Sequence, residues 1–229
     1  MREIKRFIPL FIIAGLSLSA WYFGLHHYFS FDFIKSHYAM IVIYIKLYPF
    51  STLAFYMAVY IAIVGLSIPG ATFMTLIGGL LFGQLLGTCS VVVAATIGAT
   101  ILFVSAKLAS QELLTQKAGP WVDKMKSGFQ ENAFSYLLTL RLIPIFPFVA
   151  INLVAAVFQI PLETFIVATF VGIIPGSFVY VSIGTALKDV ILSSNLTPQI
   201  ALEPKFLLAF TGLGILSLLP ALYKRFHLR

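Results

Sequence analysis

The sequence is poor in charged residues and almost free of cysteine. Asp, Glu, Lys and Arg make up 10% of its 229 residues, whereas a soluble domain carries about 25%. Hydrophobic residues make up 60%, so the composition predicts an integral membrane protein. The single cysteine, Cys89, excludes an internal disulfide and any cysteine-based metal cluster. Alternating strands of about ten residues are also missing, which favours a helical class.

The chain also lacks the motifs of known catalytic and metal sites. It contains no HExxH, GxSxG or P-loop pattern, and its apolar stretches hold no paired carboxylates. His26, His27 and His37 have no acidic partners at the spacing of metal ligands. We therefore expect no enzyme activity, no metal and no other cofactor. The net charge of +7 is spread over short segments between apolar stretches, which argues against a nucleic-acid partner.

Five long apolar stretches are candidate membrane segments, at about 20 residues per crossing. They cover residues 7–23, 48–106, 133–157, 164–187 and 206–223. The first predicts a signal-anchor helix, with a cleaved signal peptide as the alternative. An interfacial segment is expected to follow it at 24–47, and 107–132 is the most polar linker.

The distribution of positive charges predicts the membrane topology of the chain. Ten of the fifteen Lys and Arg residues lie in the N-terminal segment, the linker and the C-terminal segment. The positive-inside rule places these three in the cytoplasm, together with both termini. The number of crossings between linker and C-terminus is then even. One of the three later apolar stretches must therefore fail to cross.

The stretch that fails to cross is expected to be 133–157, because it contains Arg141. Pro144 and Pro147 follow that arginine at three and six residues. A cation inside an apolar stretch costs about 2.5–3.5 kcal/mol on insertion scales. Broken backbone at membrane depth is tolerated only where protein or a water-filled cavity covers it. The segment thus predicts a re-entrant hairpin with a polar point, at which a phosphate is the expected partner. Snorkelling of Arg141 to the interface and pairing with freed carbonyls remain alternatives.

A short internal repeat extends this prediction to the first half of the chain. Leu66-Ser-Ile-Pro69 aligns with Arg141-Leu-Ile-Pro144 at an offset of 75 residues. Each is followed by a small-residue stretch and a long uncharged one. We expect an all-α inverted repeat of two re-entrant hairpins, each followed by a span, with flanking terminal helices. The expected units are 1–50, a core at 51–187 (hairpin 51–83, span 85–106, linker 107–132, hairpin 133–158, span 162–187) and 188–229.

Further residues complete the candidate site. Pro69 and Gly70 are expected at the tip of the first hairpin, facing Pro144 and Pro147. Asn152 either satisfies backbone locally or lines the cavity. Accessory candidates are Glu163, Pro175, Gly176 and Tyr180. Glu163 is a favourable first-turn acid, a partner for Arg141 or a group that takes up a proton. Pro175-Gly176 is either a kink or a hinge. The glycines at 78, 79, 83, 87 and 98 are interpreted as helix-packing positions.

Four blocks together resemble the DedA superfamily, and its VTT-domain or SNARE-associated Golgi branch most closely. They are Ile68-Pro69-Gly70, Gly78-Gly79-Leu-Leu-Phe82-Gly83, Arg141-Leu-Ile-Pro144-Ile-Phe-Pro147-Phe, and Gly172-Ile-Ile-Pro175-Gly176-Ser-Phe-Val-Tyr180. The resemblance covers about 51–184. It implies lipid transport through two opposed re-entrant hairpins.

Two departures from DedA proper bear on mechanism. Ala71 stands after Pro69-Gly70 where DedA carries an acid, and Pro147 stands where it carries a second arginine. Both weaken an expectation of proton coupling and of a two-arginine phosphate clamp. We expect a flippase or scramblase for a phospholipid or polyprenyl phosphate in a bacterial inner membrane. Membrane lipids are its expected partners, and a homo-oligomer is left open. A coupled small-solute transporter and a structural or assembly factor are the alternatives.

Overall fold

The structure, a computed structural model, describes Gly15 and residues 31–117, 133–142 and 147–192. Within these ranges the chain is helical and contains no strand. The helices from residue 31 onward are α1 (Phe31–Leu47), α2 (Pro49–Gly65), α3 (Ala71–Phe82), α4 (Gln84–Lys117), α5 (Ala133–Leu142), α6 (Phe148–Val157) and α7 (Leu162–Leu192). The predicted N-terminal signal-anchor helix and the C-terminal membrane helix lie outside the described residues.

Two helices are long and apolar enough to cross a membrane. Their apolar parts are Gln84–Ala109 in α4 and Leu162–Lys188 in α7, of 26 and 27 residues. At 1.5 Å per residue each is about 40 Å long, more than the hydrocarbon core of about 30 Å. The helices α3, α5 and α6 have 12, 10 and 10 residues. They reach only about 15–18 Å and cannot cross on their own.

A tight turn separates the first short helix from α2. After α2, the Ser67 N–H donates to the Val64 carbonyl at 3.1 Å, and Ile68 N–H to the Ile63 carbonyl at 2.9 Å. This is the Schellman pattern, which ends a helix with one residue at positive φ. Here that residue is Ser67, at φ 58°. Gly70 then begins α3 at φ 142°, a backbone conformation that suits glycine.

A matching turn separates α6 from α7. The Gln159 N–H donates to the Ala156 carbonyl at 3.0 Å, with Gln159 at φ 55°. The Nζ of Lys107 reaches across from α4 and donates to the Ile160 carbonyl at 2.6 Å. The lysine thus gives a hydrogen-bond partner to a backbone carbonyl of this turn. This bond connects α4 to the turn between α6 and α7.

The helix α7 is the centre of the fold, because α3, α4 and α5 all pack against it. Glycines let α3 and α7 touch backbone to backbone. A Cβ on Gly79 would collide with the Val181 carbonyl, and one on Gly184 with that of Leu76. The Thr185 Oγ1 also lies 3.2 Å from the Gly79 carbonyl oxygen. Gly79 therefore has the packing role that the sequence indicated.

Two helices run further than the uncharged stretches suggested. The helix α4 continues past Ala106 to Lys117, and α7 continues past Leu187 to Leu192. Charge marks where an apolar segment leaves lipid, but it does not end a helix. The helix α7 also runs through Pro175, whose ring nitrogen cannot donate to the Val171 carbonyl one turn earlier.

Candidate functional site

A cavity of about 310 Å³ lies where the helices α2 to α7 come together. Each of these six helices contributes lining residues, counting Pro147 as the cap of α6. Much of the wall is apolar. Its polar side chains are Tyr60, Thr72, Thr75, Arg141, Ser177 and Tyr180. Among the described residues that line the cavity, Arg141 is the only charged one.

Arg141 stands in the last turn of α5 and is only 8% exposed. Its Nη2 donates to the Asn152 Oδ1 at 2.6 Å and to the Thr169 Oγ1 at 3.0 Å. Asn152 and Thr169 are themselves fully buried. One guanidinium nitrogen therefore links α5 to α6 and α7 in the interior.

Two rings enclose the guanidinium. Its Cζ lies 4.4 Å from the ring centroid of Phe148 and 5.4 Å from that of Phe165, within the range of cation–π attraction. Phe165 stacks in turn on Phe103 of α4, at 4.1 Å between centroids. Gly172 makes room for the arginine stem, since a Cβ there would lie 2.6 Å from the Arg141 Cβ.

The pairing of this cation is incomplete. Arg141 Nε and Nη1 and the Asn152 Nδ2 are buried without a hydrogen-bond partner among the described residues. A buried donor left unsatisfied costs about 1–3 kcal/mol, and more when it is charged. An anion, or a group rich in acceptors, would remove that cost. This arrangement can hold an oxyanion such as phosphate, which guanidinium binds well.

Two helix N-termini also bear on the cavity. Ala71 and Thr72, at the start of α3, line it, as do Pro147 and Phe148 at the start of α6. Neither helix has a side-chain cap at this end. The first-turn N–H groups of a helix carry partial positive charge that favours anions. Their potential adds to that of Arg141.

The tyrosine on the α2 side is satisfied within the wall. The Thr75 Oγ1 donates to the Ala71 carbonyl at 2.9 Å. Its single hydrogen is therefore used, and the Tyr60 hydroxyl donates to Thr75 at 2.8 Å. Tyr56, one turn earlier in α2, donates to the Met74 carbonyl at 2.7 Å.

The structure places the predicted site residues at different distances from the cavity. Arg141, Pro147, Gly176 and Tyr180 line it. Asn152 binds Arg141 but contributes no surface to the cavity. The exposed Pro69 and then Gly70 directly precede its wall at Ala71. Pro144 lies outside the described residues.

The remaining accessory candidates do not reach the cavity. Pro175 is exposed on α7 and is not part of its lining. Glu163 is exposed in the first turn of α7, about 9 Å along the helix axis from Thr169. This is the favourable position of an acid near a helix N-terminus.

Three residues that surround Arg141 were not predicted from the sequence, namely Phe165, Thr169 and Gly172. They lie at positions i, i+4 and i+7 of α7, which place them on one face of the helix. That spacing of an aromatic, a hydroxyl and a glycine was the available signal. It is common in apolar helices, so it identifies this face only once α5 is known to pack on it. No group of His, Cys, Asp or Glu in the described residues has the makings of a metal site.

Comparison with known proteins agrees with a membrane protein. A profile of the VTT domain matches residues 68–186. An uncharacterized membrane protein of Arabidopsis thaliana is 34% identical over 176 residues, 74% of this chain and 58% of that protein. Transmembrane protein 41 homolog of Caenorhabditis elegans is 31% identical over 171 residues (73% and 67%). Transmembrane protein 41B of Homo sapiens is 29% identical over 174 residues (74% and 58%).

The alignments with the Arabidopsis and human proteins cover less than two thirds of those proteins. The chain therefore spans little more than half the length of these curated relatives. No solved structure matches the chain.

Proposed function

Given that the chain belongs to the VTT-domain family of membrane proteins, we propose that it moves a lipid between the two leaflets of its membrane. The lipid is a phospholipid or a polyprenyl phosphate. Its phosphate head group crosses through the cavity, while its tails stay in the bilayer. The protein acts as a flippase or scramblase and performs no chemical step.

The observation that carries this proposal is the incomplete pairing of Arg141. A buried cation with two unpartnered nitrogens is costly for a purely structural role. A phosphate at this point would accept from those nitrogens and from the first-turn N–H groups of α3 and α6. Guanidinium suits the task because it stays charged and is weakly hydrated.

The short helices support a passage near the middle of the bilayer. In our proposal α2–α3 and α5–α6 are re-entrant pairs that enter from opposite sides, with their turns around the cavity. The helix α3 ends at Phe82 and α6 ends at Val157, 75 residues apart. The sequence repeat predicted the same offset.

The charge pattern favours equilibration over pumping. None of the eight Asp and Glu residues lies in 33–111, 132–162 or 164–188, and these ranges include the described lining of the cavity. A proton-coupled transporter usually carries such acids in its membrane segments. The lipid gradient itself then drives exchange.

The identity of this membrane and the orientation of the protein in it stay predictions. A bacterial inner membrane with both termini in the cytoplasm follows from charge placement alone, and the three relatives named above are eukaryotic.

Reconstitution into vesicles tests the proposal. Purified protein should accelerate leaflet exchange of a fluorescent phospholipid, and Arg141→Ala should return exchange to the protein-free rate. A parallel assay with an entrapped small anion distinguishes lipid transport from solute transport. If the wild type leaves lipid exchange unchanged, lipid transport is wrong; release of the anion would then favour a solute transporter. If the protein changes neither lipid exchange nor anion release, the role of an assembly factor is favoured.

A further inference from the structure

The cavity has a second polar wall, which lies apart from Arg141 along α7. Ser177 and Tyr180 belong to this wall, and Thr72 from the first turn of α3 completes it. Ser177 follows Thr169, the partner of Arg141, by eight residues, or about 12 Å along the helix axis. This hydroxyl wall is therefore separate from the buried guanidinium contact.

Its hydroxyl groups make no hydrogen bond to any described residue. Other hydroxyls on the same helices donate to carbonyls one turn earlier: Ser182 to Phe178 at 2.8 Å and Thr185 to Val181 at 3.0 Å. Thr75, which shares the cavity, donates to Ala71. The three hydroxyl groups of the wall can therefore both donate hydrogen bonds to a bound ligand and accept them from it.

The charges around the cavity limit which head group can bind beside these hydroxyls. An ammonium group would meet the positive charge of Arg141 without a carboxylate among the described lining residues to balance it. A polyol would meet three free hydroxyl groups. The volume of about 310 Å³ equals about ten water molecules at 30 Å³ each. A phosphate and a short polyol fit within it.

We infer that the hydroxyl wall of Thr72, Ser177 and Tyr180 makes the cavity selective for phosphate head groups that carry hydroxyls and no amine. The head-group class is a phosphoglycerol or phosphoinositol. This inference rests on the proposed lipid transport and adds its specificity. The phosphate is held near Arg141, and the alcohol part exchanges its hydrogen bonds with water for bonds to the wall.

Leaflet exchange of matched fluorescent lipids tests the selectivity. Vesicles with the wild-type protein receive tracers of phosphatidylglycerol, phosphatidylinositol, phosphatidylethanolamine or phosphatidylcholine with identical tails. The glycerol and inositol lipids should exchange about fivefold faster than the amine lipids, the factor for one net hydrogen bond. Equal rates, or faster amine lipids, would overturn the selectivity but leave lipid transport standing. No exchange of any tracer would remove both.

Variants locate the selectivity in the wall. Ser177→Ala, Thr72→Val and Tyr180→Phe should each lower the ratio of glycerol-lipid to ethanolamine-lipid exchange toward one. Ser177→Asp should invert it, because the new carboxylate would pair with an ammonium group. The matched controls are Ser182→Ala and Ser182→Asp, on the same helix but outside the cavity lining, which should leave the ratio unchanged. A ratio that responds equally to Ser177 and Ser182 variants would contradict the inference, and the neutral substitutions keep the test valid if Ser177→Asp fails to fold.

Discussion

The two helix pairs beside the cavity, α2–α3 and α5–α6, differ in how fully their buried polar side chains are hydrogen-bonded. In α2–α3, Tyr56 and Tyr60 each have a partner, at 2.7 and 2.8 Å, and the pair carries no charge. In α5–α6, Arg141 and Asn152 keep buried nitrogens without partners among the described residues. A satisfied network stabilises a fold, whereas an unsatisfied cation is typical of a site that binds something. The contrast assigns a supporting role to Tyr56 and Tyr60 and recognition of the phosphate to Arg141 and Asn152.

Removing the positive charge of Arg141 is expected to have the largest effect and tests this contrast most strongly. Arg141→Met should abolish lipid exchange while changing the free energy of unfolding by less than about 2 kcal/mol, since the buried charge disappears together with two hydrogen bonds. Thermal unfolding in detergent and vesicle exchange measure the two quantities. Leu142→Met, at the next position, is the control and should preserve both. A variant that unfolds without its arginine would show that Arg141 is structural.

The glycines of α3 and α7 should matter for stability. Gly79→Ala and Gly184→Ala place a methyl group against a backbone carbonyl, and each should destabilise by about 1–3 kcal/mol. Gly176→Ala meets no atom within 4 Å and should stabilise the helix by up to about 1 kcal/mol. Midpoints of thermal unfolding report both. Equal effects at the three positions would show that α3 and α7 are not in backbone contact.

Gly172 connects packing to the site. The methyl group of Gly172→Ala would lie 2.6 Å from the Arg141 Cβ, so it should shift α5 and weaken the bond to Thr169. We expect lipid exchange to fall by about tenfold, as for one lost hydrogen bond to a charged group. Gly65→Ala is the control, because its methyl group would have 3.6 Å to the nearest atom. Unchanged exchange in Gly172→Ala would show that the position of Arg141 is not critical.

The smallest expected effect is the difference in stability between Phe variants of Tyr56 and Tyr60. Tyr56→Phe removes the hydroxyl that donates to a buried carbonyl and should cost about 1 kcal/mol of unfolding free energy. Tyr60→Phe should cost less, because Thr75 keeps its own bond to the Ala71 carbonyl. Chemical denaturation in detergent compares them. If either variant slows lipid exchange while the free energy of unfolding hardly changes, that tyrosine takes part in recognition rather than in support.

Local pattern was enough to predict much of the helical architecture. Pro69-Gly70 indicated the break before α3, and the charge of Arg141 beside Pro144 and Pro147 indicated a polar point near the end of α5. These features depend on the chemistry of a few neighbouring residues. Breaks, caps and misplaced charges are therefore visible in a single sequence.

Contacts between distant helices were beyond that reasoning. Thr169 lies 28 residues from Arg141, and Lys107 lies 53 residues from the carbonyl it binds. Neither spacing has a local signature. The bond to Thr169 depends on how α5 crosses α7, which the small size of Gly172 permits but does not by itself reveal. The hydroxyl wall likewise forms only when α3 and α7 meet.

A distance between Arg141 and lipid phosphorus tests the central claim most directly. Protein with ¹⁵N-labelled arginine is placed in phospholipid bilayers, and ¹⁵N–³¹P dipolar dephasing is recorded by solid-state NMR. The difference between wild type and Arg141→Met isolates this one side chain from the interfacial arginines. We predict a phosphorus atom within about 4 Å of a guanidinium nitrogen, as a hydrogen bond of about 2.8 Å to a phosphate oxygen requires. Identical dephasing in both proteins would contradict a phosphate contact at Arg141.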